Sequence, residues 1–159
     1  MKYKLTDETK EFCGKLLHRI VCVTAFASVA VGDTGGWVES EKNLSQSGNA
    51  WVSGDAKVYG NAEVYGDAEV YGNAEVYGDA WVSGDAKVSK SSDYAVYKNS
   101  WSSMRYFTWT RSNDKWCVGC FYGSGEELIE KAYKDSKLSG DCYKAVVELR
   151  NKLTELESA

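Results

Sequence analysis

Glycine returns every six residues through the middle of this chain, at Gly48, Gly54, Gly60, Gly66, Gly72, Gly78 and Gly84. Each is followed by Asn or Asp and then Ala, and two residues after every Ala stands Val, at 52, 58, 64, 70, 76, 82 and 88. A six-residue period fits neither a helix, which repeats every 3.6 residues, nor a meander of long strands. Ala-x-Val-x alternates in and out as a strand does, and Gly with Asn or Asp supplies a corner that tolerates left-handed backbone. Such a unit builds one side of a triangular prism. Three units then close a coil of eighteen residues, with the next coil about 4.8 Å away and Val stacked on Val. The phase runs backward through Asn43, Leu44 and Gln46 and decays after Val88, where Ser91, Ser92 and Tyr94 fill the slots imperfectly. About eight sides result, fewer than three coils.

These residues resemble the hexapeptide-repeat proteins. The resemblance implies a left-handed parallel β-helix that commonly trimerises; the hand comes from the resemblance, because parallel crossovers are ordinarily right-handed. A broader resemblance lies in Tyr3-Lys4-Leu5-Thr6-Asp7-Glu8-Thr9, in Val31-Gly32-Asp33-Thr34-Gly35-Gly36-Trp37-Val38 and in Glu41-Lys42-Asn43-Leu44-Ser45. It extends to Val118-Gly119-Cys120-Phe121, Gly123-Ser124 and Glu126-Glu127-Leu128. These segments are similar to small hexapeptide proteins of phages and prophages. That implies a phage setting, in the cytoplasm of an infected or lysogenic bacterium, without a settled activity.

The two ends read as caps. Residues 1–40 form an N-terminal β cap with strands over 2–5 and 15–23, residues 41–92 the repeat body, and residues 93–159 a C-terminal α/β cap. In the last of these, Met104–Thr110 and Lys115–Val118 predict a hairpin around Ser112-Asn113-Asp114. Ser124 and Glu127 form a capping box that opens a helix near 125–136. A second helix is expected from Gly140 to about 157, with an apolar seam of Cys142, Val146, Leu149, Leu153 and Leu156. That seam packs on its own hairpin or joins three copies. The fold class expected is mainly β: a short left-handed parallel β-helix with an N-terminal β cap and a C-terminal β-hairpin plus two-helix α/β cap.

Charge narrows the partners. The formal net charge is -4, and residues 48–89 alone carry seven acids against Lys57 and Lys87, a balance of -5. An acidic stem argues against direct nucleic-acid binding. Five irregularly spaced Cys suggest reduced thiols in a cytosol rather than a disulfide framework. The apolar stretch Val21–Val31 is too short to span a bilayer, and Asp7, Glu8 and Glu11 do not suit a signal peptide.

The chemistry of the resembled acyltransferases, base-assisted attack on an acyl thioester, uses His as the base. This chain has His18 alone, on a cap strand outside the coils, and no inserted loop to wall off a substrate. His18 therefore reads as a packed residue. Cys117-Val118-Gly119-Cys120 lacks a second ligand pair for zinc, and strand alternation sends its two thiols to opposite faces. Gly32, Gly35 and Gly36 lack a phosphate-binding Lys. No catalytic residue, metal or cofactor is expected.

The outward slots are the informative ones. Tyr59, Tyr65, Tyr71 and Tyr77, Trp51 and Trp81, and the carboxylates Glu63, Glu69 and Glu75 fill them. Exposed aromatic rows mark contact surfaces, here with a partner, with another subunit or with the caps. The expectation is a non-enzymatic homo-oligomer, a trimer, whose acidic and aromatic surface or inter-subunit pockets bind a host protein or a nucleotide signal. Inhibition of a host defence system, such as a nucleic-acid-binding defence protein, is the role that fits the phage resemblance. The alternatives are a hexapeptide-repeat acyltransferase and a structural oligomerisation module.

Overall fold

The computed structural model describes residues 1–159. Three strands open the chain: β1 (Tyr3–Phe12), β2 (Lys15–Cys22) and β3 (Thr34–Val38). Seven two-residue strands follow, one per hexapeptide: β4 (Trp51–Val52), β5 (Lys57–Val58), β6 (Glu63–Val64), β7 (Glu69–Val70), β8 (Glu75–Val76), β9 (Trp81–Val82) and β10 (Lys87–Val88). Then come β11 (Tyr94–Lys98), β12 (Tyr106–Thr110), β13 (Lys115–Val118) and β14 (Phe121–Gly123), and the helices α1 (Gly125–Asp135) and α2 (Lys137–Glu157). The protein is mainly β with a C-terminal pair of helices.

The repeat strands pair in parallel with the strand eighteen residues on, Lys57 with Glu75, Glu63 with Trp81, and Trp51 with Glu69 and then Lys87. Three separate parallel sheets result, consistent with a β-helix: β3-β5-β8, β4-β7-β10 and β6-β9. Every repeat Ala from 50 to 86 and every repeat Val from 52 to 88 is fully buried on the axis between them. Each corner glycine has a positive φ, for example +69° at Gly66, where a Cβ would stand 3.0 Å from the nitrogen of Gly84 one coil on. At Gly66 glycine is thus required twice over, by backbone conformation and by the close stacking of corners.

The alternation of Asn and Asp after those glycines also has a cause. Eighteen residues is one and a half Asn–Asp periods, so an amide falls beside a carboxylate: Asn49 donates to Asp67 (3.1 Å) and Asn61 to Asp79 (3.2 Å). Asp85 would stack on Asp67, and there Asn113 from the β12–β13 turn donates to Asp85 instead (2.8 Å). Like charges are kept apart where Asn and Asp alternate, and at the Asp67–Asp85 corner the Asn113 amide supplies the donor that the repeat lacks.

Three expectations need correction. The inward slot assigned to Gln46 belongs to Leu44, which bridges Val64. Two extra residues lengthen the first coil, and the Gln46 side chain is turned to β1, accepting from Lys2 N and donating to Tyr3 O. The second helix begins at Lys137, capped by Ser136, not at Gly140. Gly140 lies inside α2, where only a glycine fits, since a Cβ there would meet the Tyr133 ring at 2.1 Å. The predicted seam is also displaced. Leu149 and Leu156 are exposed, and α2 buries Tyr143, Val147 and Arg150. Arg150 takes that face because its guanidinium lies 4.2 Å from the Trp109 ring and bonds Glu157 at 2.7 Å.

The N-terminal hairpin closes the first coil. Lys2 is buried there, donating to Ala50 O (2.7 Å), and burial lowers its pKa to about 8 from the ordinary 10.5, with Cys22 opposing. Because folding depresses this pKa, the unfolded chain holds the proton more tightly between those two values. The group's contribution is complete above the ordinary lysine value and is lost as pH falls through about 8. The melting-temperature difference between the parent and Lys2→Met should therefore grow in the parent's favour from pH 8 towards 10. A difference that stays constant with pH contradicts the burial of a titrating amine.

Candidate functional site

The outward residues singled out in the sequence do not form one surface. Trp51 is buried beneath the N-terminal cap, edge-on to Tyr3 and to Phe26 at 6.4 and 5.4 Å. Tyr59 is likewise covered, against Phe12, and it stacks on Tyr77 at 5.3 Å. Its hydroxyl donates to Glu75 (3.4 Å), and burial, followed by the Glu75 charge, raises its pKa. Tyr65 shares a hydrogen bond with the buried Cys117 thiol at 3.0 Å, and burial raises its pKa also. Tyr71 and Tyr77 stay exposed. Glu63, Glu69 and Glu75 stand on three different sheets, and Glu69 is paired with Lys87 at 3.7 Å. The caps thus take up much of the aromatic surface.

The C-terminal cap lies against the β6-β9 face. Thr108 of β12 accepts from Trp81 N (2.9 Å), and Cys117 of β13 meets Tyr65. Where this contact ends, a cavity of about 600 Å³ opens between the coil, the cap sheet and both helices. Its floor is apolar, made by Phe107, Val118, Phe121 and Leu128. Trp81 and Tyr106 flank it, 37% and 47% exposed, leaving aromatic faces open to a ligand. These residues come from four strands and one helix, which fixes their mutual geometry.

The remaining wall is the segment between β11 and β12. Asn99, itself buried, folds this segment: its carbonyl accepts from Trp101 N and Ser102 N (3.1 and 2.9 Å), while its amide donates to Tyr143 Oη (3.2 Å). Short Asn side chains favour such turns because they replace a backbone hydrogen bond. Burial raises the pKa of Tyr143, so it enters the cavity as a neutral phenol. Met104, further along the segment and exposed, has φ +59°, left-handed backbone that is uncommon for a residue with a side chain.

Four charged side chains line the cavity: Arg105 and Lys131, and Asp79 and Asp135. Neither cation is engaged in an ion pair. Two other cations of the C-terminal cap, Arg111 and Lys115, lie outside the cavity. Arg111 is tied to Glu157 and Asp93, and Lys115 sits elsewhere on β13. Lys131 and Asp135 were missed, although their spacing of four along α1 with Leu128 and Ala132 places them on one helix face.

His18 is not part of the cavity. Its Nδ1 lies 3.2 Å from the Thr6 carbonyl, an acceptor, which makes Nδ1 the protonated nitrogen. Cys117 is buried and Cys120 exposed, and no three His, Cys, Asp or Glu side chains gather as metal ligands. No helix is long and apolar enough to cross a membrane.

No family model matches the chain. Over 59 residues, 32% of this chain, it is 34% identical to the uncharacterized acetyltransferase YdcK of Escherichia coli (strain K12). The chain spans about a fifth of the length of that relative, 18%. This likeness overturns the expectation of a non-enzymatic inhibitor of host defence: the similar protein is named as an acetyltransferase, which agrees better with the acyltransferase alternative.

Proposed function

We propose that this chain is an acyltransferase of the hexapeptide-repeat type, with a left-handed coil, acting as a homotrimer and using the 600 Å³ cavity as its substrate site. The observation that carries this reading is the 34% identity to an acetyltransferase over 59 residues. The phage setting rests on the sequence resemblance alone.

The chemistry available fits an acyl thioester on a phosphate-bearing carrier. Arg105 and Lys131 supply unpaired positive charge for anionic groups of the donor. The apolar floor excludes water from the thioester, which protects it from hydrolysis. His18 has no part, and this departs from the histidine base of the resembled enzymes.

Binding of acetyl-CoA, followed by calorimetry, tests the reading. The double variant Arg105→Glu, Lys131→Glu should weaken binding at least about tenfold, roughly 1.4 kcal/mol. Added salt should weaken binding to the parent for the same reason. His18→Ala should leave it unchanged. Equal affinity in the parent and the double variant contradicts the assignment of the cavity to the donor.

A further inference from the structure

We infer that the acyl acceptor of this cavity is a flat aromatic amine, weakly basic and uncharged at neutral pH. The inference rests on the acyl-transfer reading above and names its second substrate. Size comes first. The donor enters by Arg105 and Lys131, and a volume of about 600 Å³, that of sites for drug-sized molecules, leaves space beside the acetyl group for an acceptor of one or two rings. Shape comes next. Phe107, Phe121 and Leu128 form an apolar floor, and the part-exposed rings of Trp81 and Tyr106 flank it. Aromatic walls favour a planar body, which gains by stacking as well as by burial.

The bases decide the reacting group. The titratable side chains lining the cavity are two carboxylates, two cations and two phenols, with no imidazole among them. A carboxylate is too weak a base to strip an alcohol or an alkylammonium efficiently. An aromatic amine needs no such activation, because its nitrogen is already neutral. Its lone pair attacks the thioester carbonyl carbon and forms a C–N bond. The tetrahedral adduct collapses by breaking the C–S bond, and sulfur leaves as thiolate with the bonding electrons. The proton released from nitrogen passes to Asp79 or Asp135 and then to the thiolate. Amide and free thiol are the only products, and no further reactant is consumed.

The test uses the full chain, acetyl-CoA as donor and three acceptors of one shape: aminonaphthalene, hydroxynaphthalene and aminoethylnaphthalene. Products are separated and weighed by mass spectrometry. Acetylation of aminonaphthalene should be preferred in kcat/KM by about tenfold or more over the other two. Tyr106→Ala alters an exposed wall residue and should keep the parent's circular dichroism, yet lower kcat/KM for aminonaphthalene by about tenfold. Asp79→Asn combined with Asp135→Asn should lower kcat for the same substrate. Preference for the alcohol or the alkylamine overturns the inference and leaves the acyl-transfer reading standing. Full aminonaphthalene turnover in folded Tyr106→Ala also overturns it. Acetylation of none of the three overturns it as well, and a pooled screen of other acceptors then decides whether the acyl-transfer reading survives.

Discussion

Val70→Asp is expected to abolish folding. Val70 is fully buried in the middle coil, aligned with Val52 on one side and Val88 on the other. Its surroundings on the axis are the repeat Ala and Val residues, which offer no hydrogen-bond partner. A carboxylate there must be buried unpaired or protonated, and either costs several kcal/mol. Whole domains are stable by only about 5–15 kcal/mol. A stack in which each coil is held by its neighbours transmits such a defect in both directions. Val70→Ala is the graded companion, removing part of the ~1.5–3 kcal/mol that a buried Val contributes. Circular dichroism and urea unfolding check both. A folded, cooperative Val70→Asp would contradict the packing of the axis.

Gly35→Ala should be the more damaging of two matched glycine substitutions. A Cβ at Gly35 would stand 2.5 Å from Ile20 Cγ1, 2.7 Å from the Trp51 ring and 2.7 Å from the Val52 carbonyl oxygen. Ile20 and Trp51 belong to the buried core, so neither can move freely. Overpacking of this kind costs roughly 1–3 kcal/mol, and a backbone oxygen among the clashing atoms places it at the upper end. Gly78→Ala meets nothing within 4 Å and suffers only from its φ of +67°. Left-handed backbone costs an L residue about 1–2 kcal/mol. Thermal melts should therefore place Gly35→Ala below Gly78→Ala. The reverse order would contradict the close docking of β3 on the first coil.

Much of the architecture was legible because it depends on period. Ala and Val at fixed slots need only one geometry to be buried, and the eighteen-residue pairing of Lys57 with Glu75 follows from counting. The capping box of α1 was equally readable: Ser124 accepts from Glu127 N at 3.2 Å, and Glu127 accepts in return from Ser124 N at 3.1 Å. Features set by tertiary contact were not. The β1–β2 hairpin turns at Cys13-Gly14, with φ of +51° and +76°, so a Cys occupies a position where Asn or Asp would have announced the turn. The four-three spacing of apolar residues on α2 gave the wrong face, because the aromatic cap sheet accommodates Tyr143 and Arg150 instead. The cavity had no local signature. Its residues lie between Asp79 and Tyr143 in sequence and meet only through packing of the cap on the coil.

The aromatic slots illustrate why sites are harder to read than folds. Period predicts that Trp51, Tyr59, Tyr65 and Trp81 point outward, and they do leave the axis. What covers the first three is decided elsewhere in the chain, by Phe26, Phe12 and Cys117, while Trp81 stays part-exposed at the edge of the cavity.

Acceptor-dependent release of free thiol from acetyl-CoA, measured on the purified chain with a pooled set of amine and hydroxyl acceptors, is the most direct test of acyl transfer in this cavity. Multiple turnovers should appear with the parent, persist in His18→Ala and fall at least about tenfold in Arg105→Glu, Lys131→Glu. Release that never rises above the acceptor-free rate, or that survives intact in the double variant, would contradict it.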